Sequence, residues 1–242
     1  MILIAAHCFQ VKGRPSKKYE QDVTAVIGVH NISDLVEVSS ATHKVWQVII
    51  HDSWDYNSDE YDADISLVVL ETEVDLSDRF KVGIVCLPPA SKKKFMGTGT
   101  VVGWGFSEVS EANHEYFDST PNEVDLSAVT RLQCEKTGYD LIIASSERTF
   151  CARFVNQNKS KSRGDSGSGF GVFVRSTKSF NLAGIVSSSK VAKNNENCNI
   201  DTYSIFTDVG KFVKWIKSGI KKTEKVKWKN IEFECRYFVE RS

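Results

Sequence analysis

The sequence predicts an all-β protein with an antiparallel barrel architecture. Three observations lead to this fold class: short runs of β-branched and aromatic residues recur along the 242 residues, turn-forming residues separate them, and clear helical periodicity occurs once, near the C-terminal end. All-β barrels and sandwiches of this length commonly form one domain. The hydrophobic content of 41% is sufficient to supply its core.

Each predicted strand is a run of apolar or β-branched residues that ends at a turn signal. Residues 1–6 form the first, and residues 65–70 are of the buried-strand type. The double proline after Leu87 ends one segment, and a Gly-Trp-Gly turn at 103–105 ends another. The other predicted strands are 23–29, 45–50, 97–102, a short pair at Val124 and before Cys134, 170–174 and 182–186.

The predicted helix follows Asp208, which is a suitable N-cap residue. Its apolar side recurs at helical spacing in Val209, Phe212, Val213, Ile216 and Ile220. Eight lysines lie between Lys211 and Lys229, with aromatic residues among and beyond them. This pattern favours a solvated helix face followed by a docking tail over a surface that binds polyanions.

Composition argues against several classes of partner. The 31 basic residues balance the 31 acidic ones, so no global charge favours nucleic acid or an anionic membrane. No apolar run reaches the roughly 18 residues of a membrane span. The glycines at 97–105 do not have the spacing of a phosphate-binding loop. We therefore expect no nucleic acid, membrane or cofactor as a partner.

The six cysteines are widely spaced, with no Cys-x-x-Cys pair, which favours disulfides over a metal site. Two glycosylation sequons, at Asn31 and Asn158, agree with an oxidising, secretory route. We expect a secreted, extracellular glycoprotein without a metal ion.

Ser166 is the candidate nucleophile. It lies within Gly164-Asp165-Ser166-Gly167-Ser168-Gly169, where glycines allow a tight, exposed turn and several amide groups can converge on one point. The alternative is an ordinary glycine-serine loop.

Two further residues are candidate partners of this serine. His7 follows the first apolar strand, although a lone histidine there is more often structural. Asp64 leads directly into the buried strand 65–70, so it should be partly buried and should need a fixed hydrogen-bond donor such as an imidazole. Asp62, further from that strand, is predicted to be solvated.

His7 in Ala-Ala-His-Cys, Asp64 in Asp-Ala-Asp-Ile-Ser-Leu and Ser166 in Gly-Asp-Ser-Gly occur in an order that resembles the trypsin/chymotrypsin-like serine proteases. The sequence looks most similar to secreted arthropod proteases of haemolymph cascades. The resemblance implies two six-stranded antiparallel β-barrels, the first incomplete, and a C-terminal helix. It also implies a protease domain at 1–220 and a basic, aromatic extension at 221–242.

The resemblance further implies roles for the candidate residues. Ser166 would attack a peptide carbonyl, His7 would take and return its proton, and Asp64 would orient the imidazole. The amides of Gly164 and Ser166 would form the oxyanion hole. The implied function is a zymogen-derived serine endopeptidase; the alternatives are a non-catalytic homologue that acts as a binding or cofactor module, and a structural interaction domain that uses the basic tail.

The implied specificity pocket departs from the family. Ser160 matches its floor, so no carboxylate is present there to bind Arg or Lys. Lys161 follows, and Ser189 and Ser204 replace glycines that keep the pocket open. With Ser187, these are the predicted substrate-binding residues. Our hypothesis is a narrowed pocket for a small or acidic side chain; alternatively, Lys161 extends into solvent.

The resemblance implies a Cys134–Cys151 disulfide and a tie from Cys86 to an upstream regulatory segment. Ser162 stands where the family usually has a pocket cysteine, so Cys198 lacks its customary partner. The sequence is compatible with either a Cys198–Cys235 or a Cys86–Cys235 bridge. Expected partners are a polypeptide substrate and a protein inhibitor.

The family has a further segment before the Ala-Ala-His-Cys strand, and its released ammonium pairs with the residue that corresponds to Asp165. We expect a polypeptide that begins at this strand to leave the Asp165 carboxylate unpartnered. We expect such a polypeptide to be inactive and poorly stable.

Overall fold

The computed structural model describes residues 1–9, 23–34, 41–78, 82–91, 95–105, 119–135, 146–155, 165–189 and 203–227. Two groups of antiparallel strands make up most of this part of the chain. The strands are β1 (Ile2–Ile4), β2 (Thr24–Val26), β3 (Thr42–Ile50), β4 (Ser66–Leu70), β5 (Thr98–Gly103), β6 (Asn122–Val129), β7 (Thr149–Phe154), β8 (Gly169–Val174), β9 (Ser179–Ser189) and β10 (Ser204–Asp208). The helices are α1 (Arg131–Glu135), α2 (Val209–Lys227) and a 3-10 turn at Ala6–Cys8.

The first half of the chain forms a four-stranded sheet in the order β1-β4-β3-β2. Every residue of β4 is buried, as its continuous apolar run predicts. The pairing of Ile4 with Ser66 brings the end of β1 next to the start of β4. Residues that follow β1 therefore lie beside residues that precede β4.

The second half forms a closed barrel in the order β10-β7-β6-β5-β8-β9. Its core contains four phenylalanines whose ring centroids lie 5.1 to 5.6 Å apart: Phe95, Phe150, Phe170 and Phe206. Such aromatic contacts stabilise a core beyond the area that they bury. A Cβ at Gly184 would lie 2.7 Å from Phe150 Cζ, so the close approach of β9 to this core requires glycine.

The long helix α2 packs against both halves. Its N-cap is Asp208, whose Oδ1 accepts a hydrogen bond from the Gly210 amide at 3.1 Å. Phe212 and Ile216 are buried in a cluster with Ile65 of the first half and Ile185 of the barrel. No helix within the described ranges is long and apolar enough to cross a membrane.

The predicted fold class is confirmed: antiparallel strands form one closed six-stranded barrel and a curled four-stranded sheet, followed by a helix. Three local predictions differ from the structure. The strand predicted at residues 1–6 is limited to Ile2–Ile4, and a 3-10 turn begins at Ala6. The strand predicted at 23–29 is limited to Thr24–Val26. The two short strands predicted at Val124 and before Cys134 are one continuous strand, β6, and Cys134 itself lies in the short helix α1. The helix α2 continues through residue 220, and the predicted domain boundary there stays a prediction.

Candidate active site

Asp64 is completely buried, and its carboxylate accepts three hydrogen bonds. The His7 backbone amide donates to Oδ1 at 2.8 Å, and the His7 ring Nδ1 donates to Oδ2 at 2.7 Å. The Ser187 hydroxyl donates to the same Oδ2 at 2.5 Å. A buried carboxylate needs such donors, because desolvation otherwise opposes its charge. The imidazole expected beside Asp64 is thus present.

Local structure explains why His7 and Asp64 meet although they are 57 residues apart. His7 lies in the 3-10 turn that follows β1, and the preceding Ala5 and Ala6 are fully buried. Asp64 lies two residues before the Ser66 that pairs with Ile4. Because Nδ1 donates its proton to the carboxylate, the lone pair of His7 Nε2 is available to accept a proton.

Ser166 lies on an exposed turn in which the Ser168 amide donates to the Asp165 carbonyl at 3.0 Å. Gly167 has a φ of +87°, and a Cβ there would lie 2.6 Å from Ile4 Cγ1. The Ser166 carbonyl oxygen is 4.0 Å from the Sγ of Cys8, the neighbour of His7. This packing holds the turn against the His7 segment. Within the described ranges, no hydrogen bond joins the Ser166 hydroxyl to His7.

Asp165 is half-buried and does not lack a partner, which corrects the expectation above. Its Oδ1 accepts a hydrogen bond from the Gly105 amide at 3.1 Å. A Cβ at Gly103 would lie 2.2 Å from the same oxygen, so the glycine leaves room for the carboxylate. The Gly-Trp-Gly turn therefore contributes both an amide donor and the space that Asp165 occupies.

Asp62 was predicted to be solvated, and this is wrong. Its side chain is 30% exposed and forms a two-point ion pair with Arg148: Nε donates to Oδ1 at 2.9 Å, and a terminal nitrogen donates to Oδ2. The Ser146 hydroxyl donates to Oδ1 at 2.7 Å. Burial opposes ionisation, but the hydrogen bonds from Arg148 and Ser146 outweigh it and lower the pKa of Asp62. No sequence signal connects groups 84 and 86 residues apart.

The predicted pocket residues are described only in part. Gly164, Ser160, Lys161 and Ser162 lie outside the described residues. Ser189 and Ser204 face each other in the β9–β10 ladder, and Ser204 is buried. The Ser187 side chain is buried and its hydroxyl donates to Asp64, so this hydroxyl is not available to a substrate.

The cysteines within the described ranges are either disulfide-bonded or free. Cys134 and Cys151 form a disulfide between α1 and β7, the pairing that the resemblance implies. Cys86 is also disulfide-bonded. The Cys198–Cys235 and Cys86–Cys235 pairings predicted from the sequence involve residues outside the described ranges. Cys8 is a free thiol. Desolvation, and to a smaller extent the negative charge of Asp64, raises the pKa of Cys8 to about 11. Within the described ranges, no cluster of His, Cys, Asp and Glu could hold a metal ion.

The sequence around these residues also matches a known protein family. The family model described as Trypsin matches residues 1–216. The chain belongs to the trypsin family. This confirms the resemblance read from the three motifs around His7, Asp64 and Ser166.

Two of the following three relatives are named as clotting or coagulation factors. The chain is 27% identical to Serine protease gd of Drosophila melanogaster, over 91% of this chain and 46% of that protein. It is 33% identical to Limulus clotting factor C of Carcinoscorpius rotundicauda, over 71% of this chain and 17% of that protein. It is 29% identical to Coagulation factor IX of Cavia porcellus, over 88% of this chain and 67% of that protein. The chain thus spans less than half the length of the first two.

Proposed function

We propose that this chain is the catalytic domain of a secreted, zymogen-derived serine endopeptidase. The observation that supports it most strongly is the arrangement around Asp64. A fully buried carboxylate orients the imidazole of His7, and the Ser166 turn packs against the segment that carries that histidine.

The proposed mechanism uses this arrangement in two stages. His7 Nε2 accepts the hydroxyl proton as Ser166 Oγ attacks the peptide carbonyl, which forms a tetrahedral oxyanion near the amides of Gly164 and Ser166. The imidazolium then gives the proton to the leaving amine, so the peptide C–N bond breaks and an acyl-enzyme forms. Water attacks this ester in the second stage, with His7 again accepting and returning the proton, and Ser166 is regenerated.

Asp64 contributes by fixing one tautomer of His7 and by stabilising the positive imidazolium. Its three hydrogen bonds remove the rotational freedom of the carboxylate before a substrate arrives. Positioned general bases of this kind contribute about 10²- to 10⁴-fold to a rate.

The proposed secretion rests on the Cys134–Cys151 disulfide and on the clotting proteins among the relatives. Disulfides persist in oxidising compartments such as the extracellular space. A polypeptide substrate and a protein inhibitor are the proposed partners. A tie from Cys86 to an upstream segment is not proposed, because Cys86 is already disulfide-bonded within this chain.

For the specificity pocket we propose a preference for a small or acidic side chain. The buried Ser204 side chain supports a narrow pocket, because serine occupies space that glycine would leave open. A peptide library, cleaved by the full-length activated protein, tests this preference. Best cleavage after large aromatic or basic residues would contradict it.

A fluorophosphonate probe tests the proposed activity. In the full-length, activated protein, Ser166 Oγ should bond to phosphorus with loss of fluoride, giving one adduct per chain. Ser166→Ala should abolish the adduct, and His7→Ala should slow its formation by about 10³-fold or more. A folded, activated protein that is not labelled would instead support the alternative, a non-catalytic homologue that acts as a binding module.

A further inference from the structure

The backbone immediately before Asp64 is strained. Ala63 is completely buried and has a φ of +55°, a left-handed conformation that is sterically unfavourable for a residue with a Cβ. Its carbonyl accepts a hydrogen bond from the Ile65 amide at 2.8 Å, which makes the turn tight. Strain of this kind persists only where the surrounding structure holds both ends of the turn.

The Asp64 end of this turn is held by the second half of the molecule as well as by His7. Ser187 on β9 donates to the side chain, and the Thr207 hydroxyl on β10 donates to the Asp64 carbonyl at 2.8 Å. Thr207 is itself fully buried. These contacts fix Asp64 once the turn is formed.

The Asp62 end is held by Arg148. Two guanidinium nitrogens meet the two carboxylate oxygens of Asp62, a geometry that fixes direction as well as distance. The Ser146 hydroxyl donates to Asp62 and accepts a hydrogen bond from the Arg148 amide at 3.0 Å. The three side chains thus form one connected group across the two halves.

Arg148 is anchored on its own side. Its carbonyl accepts a hydrogen bond from the Asp208 amide at 2.9 Å, directly before α2. Its guanidinium lies 5.4 Å from the centre of the Phe212 ring, within the range of a cation–π contact. The hydrogen bond to Asp62 raises the pKa of Arg148. The guanidinium is therefore a fixed point against which Asp62 is set.

We propose that Arg148 is a positioning residue for catalysis: by clamping Asp62 it holds the strained Ala63 turn and so keeps Asp64 directed at His7. This inference rests on the proposed function. The ion pair is about a third exposed on both sides, and such pairs contribute little to stability. Its main effect is on the geometry of Asp64.

Arg148→Met, with Arg153→Met on β7 as the matched control, tests the clamp in the full-length activated protein. Arg153 is exposed, so its removal leaves the Asp62 contact intact. We expect Arg148→Met to lower kcat and the rate of fluorophosphonate labelling about 10- to 100-fold, with KM changed less than threefold. The NMR signal of the His7 Nδ1 proton should also weaken or move upfield. Equal behaviour of the two variants would overturn the proposal.

Adding Ala63→Gly distinguishes a held turn from a general structural effect. Glycine adopts a φ of +55° without steric cost, so the turn should persist without the clamp. The double variant Ala63→Gly, Arg148→Met should recover most of the lost rate and the His7 signal. If both stay at the level of Arg148→Met, the turn-holding role is wrong.

Two further measurements keep the test decisive. If Arg148→Met does not fold, Arg148→Lys retains the charge but not the two-point contact, and an unchanged rate and His7 signal would overturn the clamp. If the wild-type protein is not labelled, the proposed function fails; the His7 signal of the same variants then still decides whether Arg148 positions Asp64.

Discussion

The two halves of the molecule hold their catalytic candidates through different sets of contacts. The four-stranded sheet carries His7 and Asp64, and here the decisive group is buried and fixed by hydrogen bonds. The closed barrel carries Ser166 on an exposed turn. Backbone hydrogen bonds fix this turn, among them one from the Gly167 amide to the Val186 carbonyl at 2.8 Å, together with the packing of Gly167 against Ile4. In one half the hydrogen bonds converge on a buried side chain, and in the other backbone hydrogen bonds and steric fit together hold a turn.

The comparison shows that each half completes the other. Ser187 and Thr207 of the barrel donate to Asp64 of the sheet. Ile4 and Cys8 of the sheet form the surface on which the Ser166 turn of the barrel rests. The positions of Asp64 and Ser166 therefore both depend on how the two halves pack together. A substitution in either half should affect the catalytic candidate in the other half.

The largest effect is expected from Asp64→Asn, which removes the carboxylate that binds the His7 imidazole. The amide cannot replace a carboxylate in stabilising the imidazolium, and it favours the wrong His7 tautomer. From the general Ser-His-Asp template we expect kcat and the labelling rate of Ser166 to fall about 10⁴-fold. The measurement is labelling with the fluorophosphonate under first-order conditions. A loss below tenfold in a folded variant would mean that Asp64 does not orient the base.

Gly167→Ala disrupts the packing of the Ser166 turn against Ile4. The new Cβ would meet Ile4 Cγ1 at 2.6 Å, and alanine is strained at a φ of +87°. Overpacking and left-handed strain together should lower the free energy of unfolding by about 2–4 kcal/mol. Urea denaturation measures this loss. The control is Gly83→Ala, whose Cβ meets nothing within 4 Å and which should change stability little.

Ser187→Ala tests the contact between the halves at Asp64. Removing this donor leaves a buried carboxylate with one hydrogen bond fewer, which should lower the free energy of unfolding by about 1–3 kcal/mol. Ser218→Ala, on the exposed face of α2, is the matched control and should have almost no effect. Equal stability of the two variants would show that Ser187 does not support Asp64.

Asp62→Asn should have the smallest effect on stability. The pKa of Asp62 is lowered in the folded protein. The ion pair therefore contributes fully to the free energy of unfolding when the pH is above the ordinary aspartate pKa of about 3.9, and this contribution is lost as the pH falls through the pKa of the folded state. Because the pair is partly exposed, the difference from wild type at pH 7 should stay below about 1 kcal/mol. It should disappear in urea titrations once the pH falls below the lowered pKa that Asp62 has in the folded protein. A difference that grows towards acid pH would contradict this sign.

Sequence alone predicts the parts of this structure that depend on local pattern. The apolar run of β4, the N-cap Asp208 and the tight turn at Gly167 each follow from the residues themselves. The Arg148–Asp62 pair and the Ser187–Asp64 bond do not. They join residues 86 and 123 positions apart, and they arise only when the two halves dock. Asp62 looked solvated because its neighbours in sequence are acidic, whereas its neighbour in space is Arg148.

A crystal structure of the fluorophosphonate-labelled protein tests the central claim most directly, namely that Asp64 and His7 of one half act on Ser166 of the other. We predict a phosphorus–oxygen bond at Ser166 Oγ, with His7 Nε2 within hydrogen-bonding distance of the adduct. The His7 Nδ1 to Asp64 Oδ2 contact should remain near 2.7 Å. An adduct on another residue, or a His7 ring turned away from both Asp64 and Ser166, would contradict the claim.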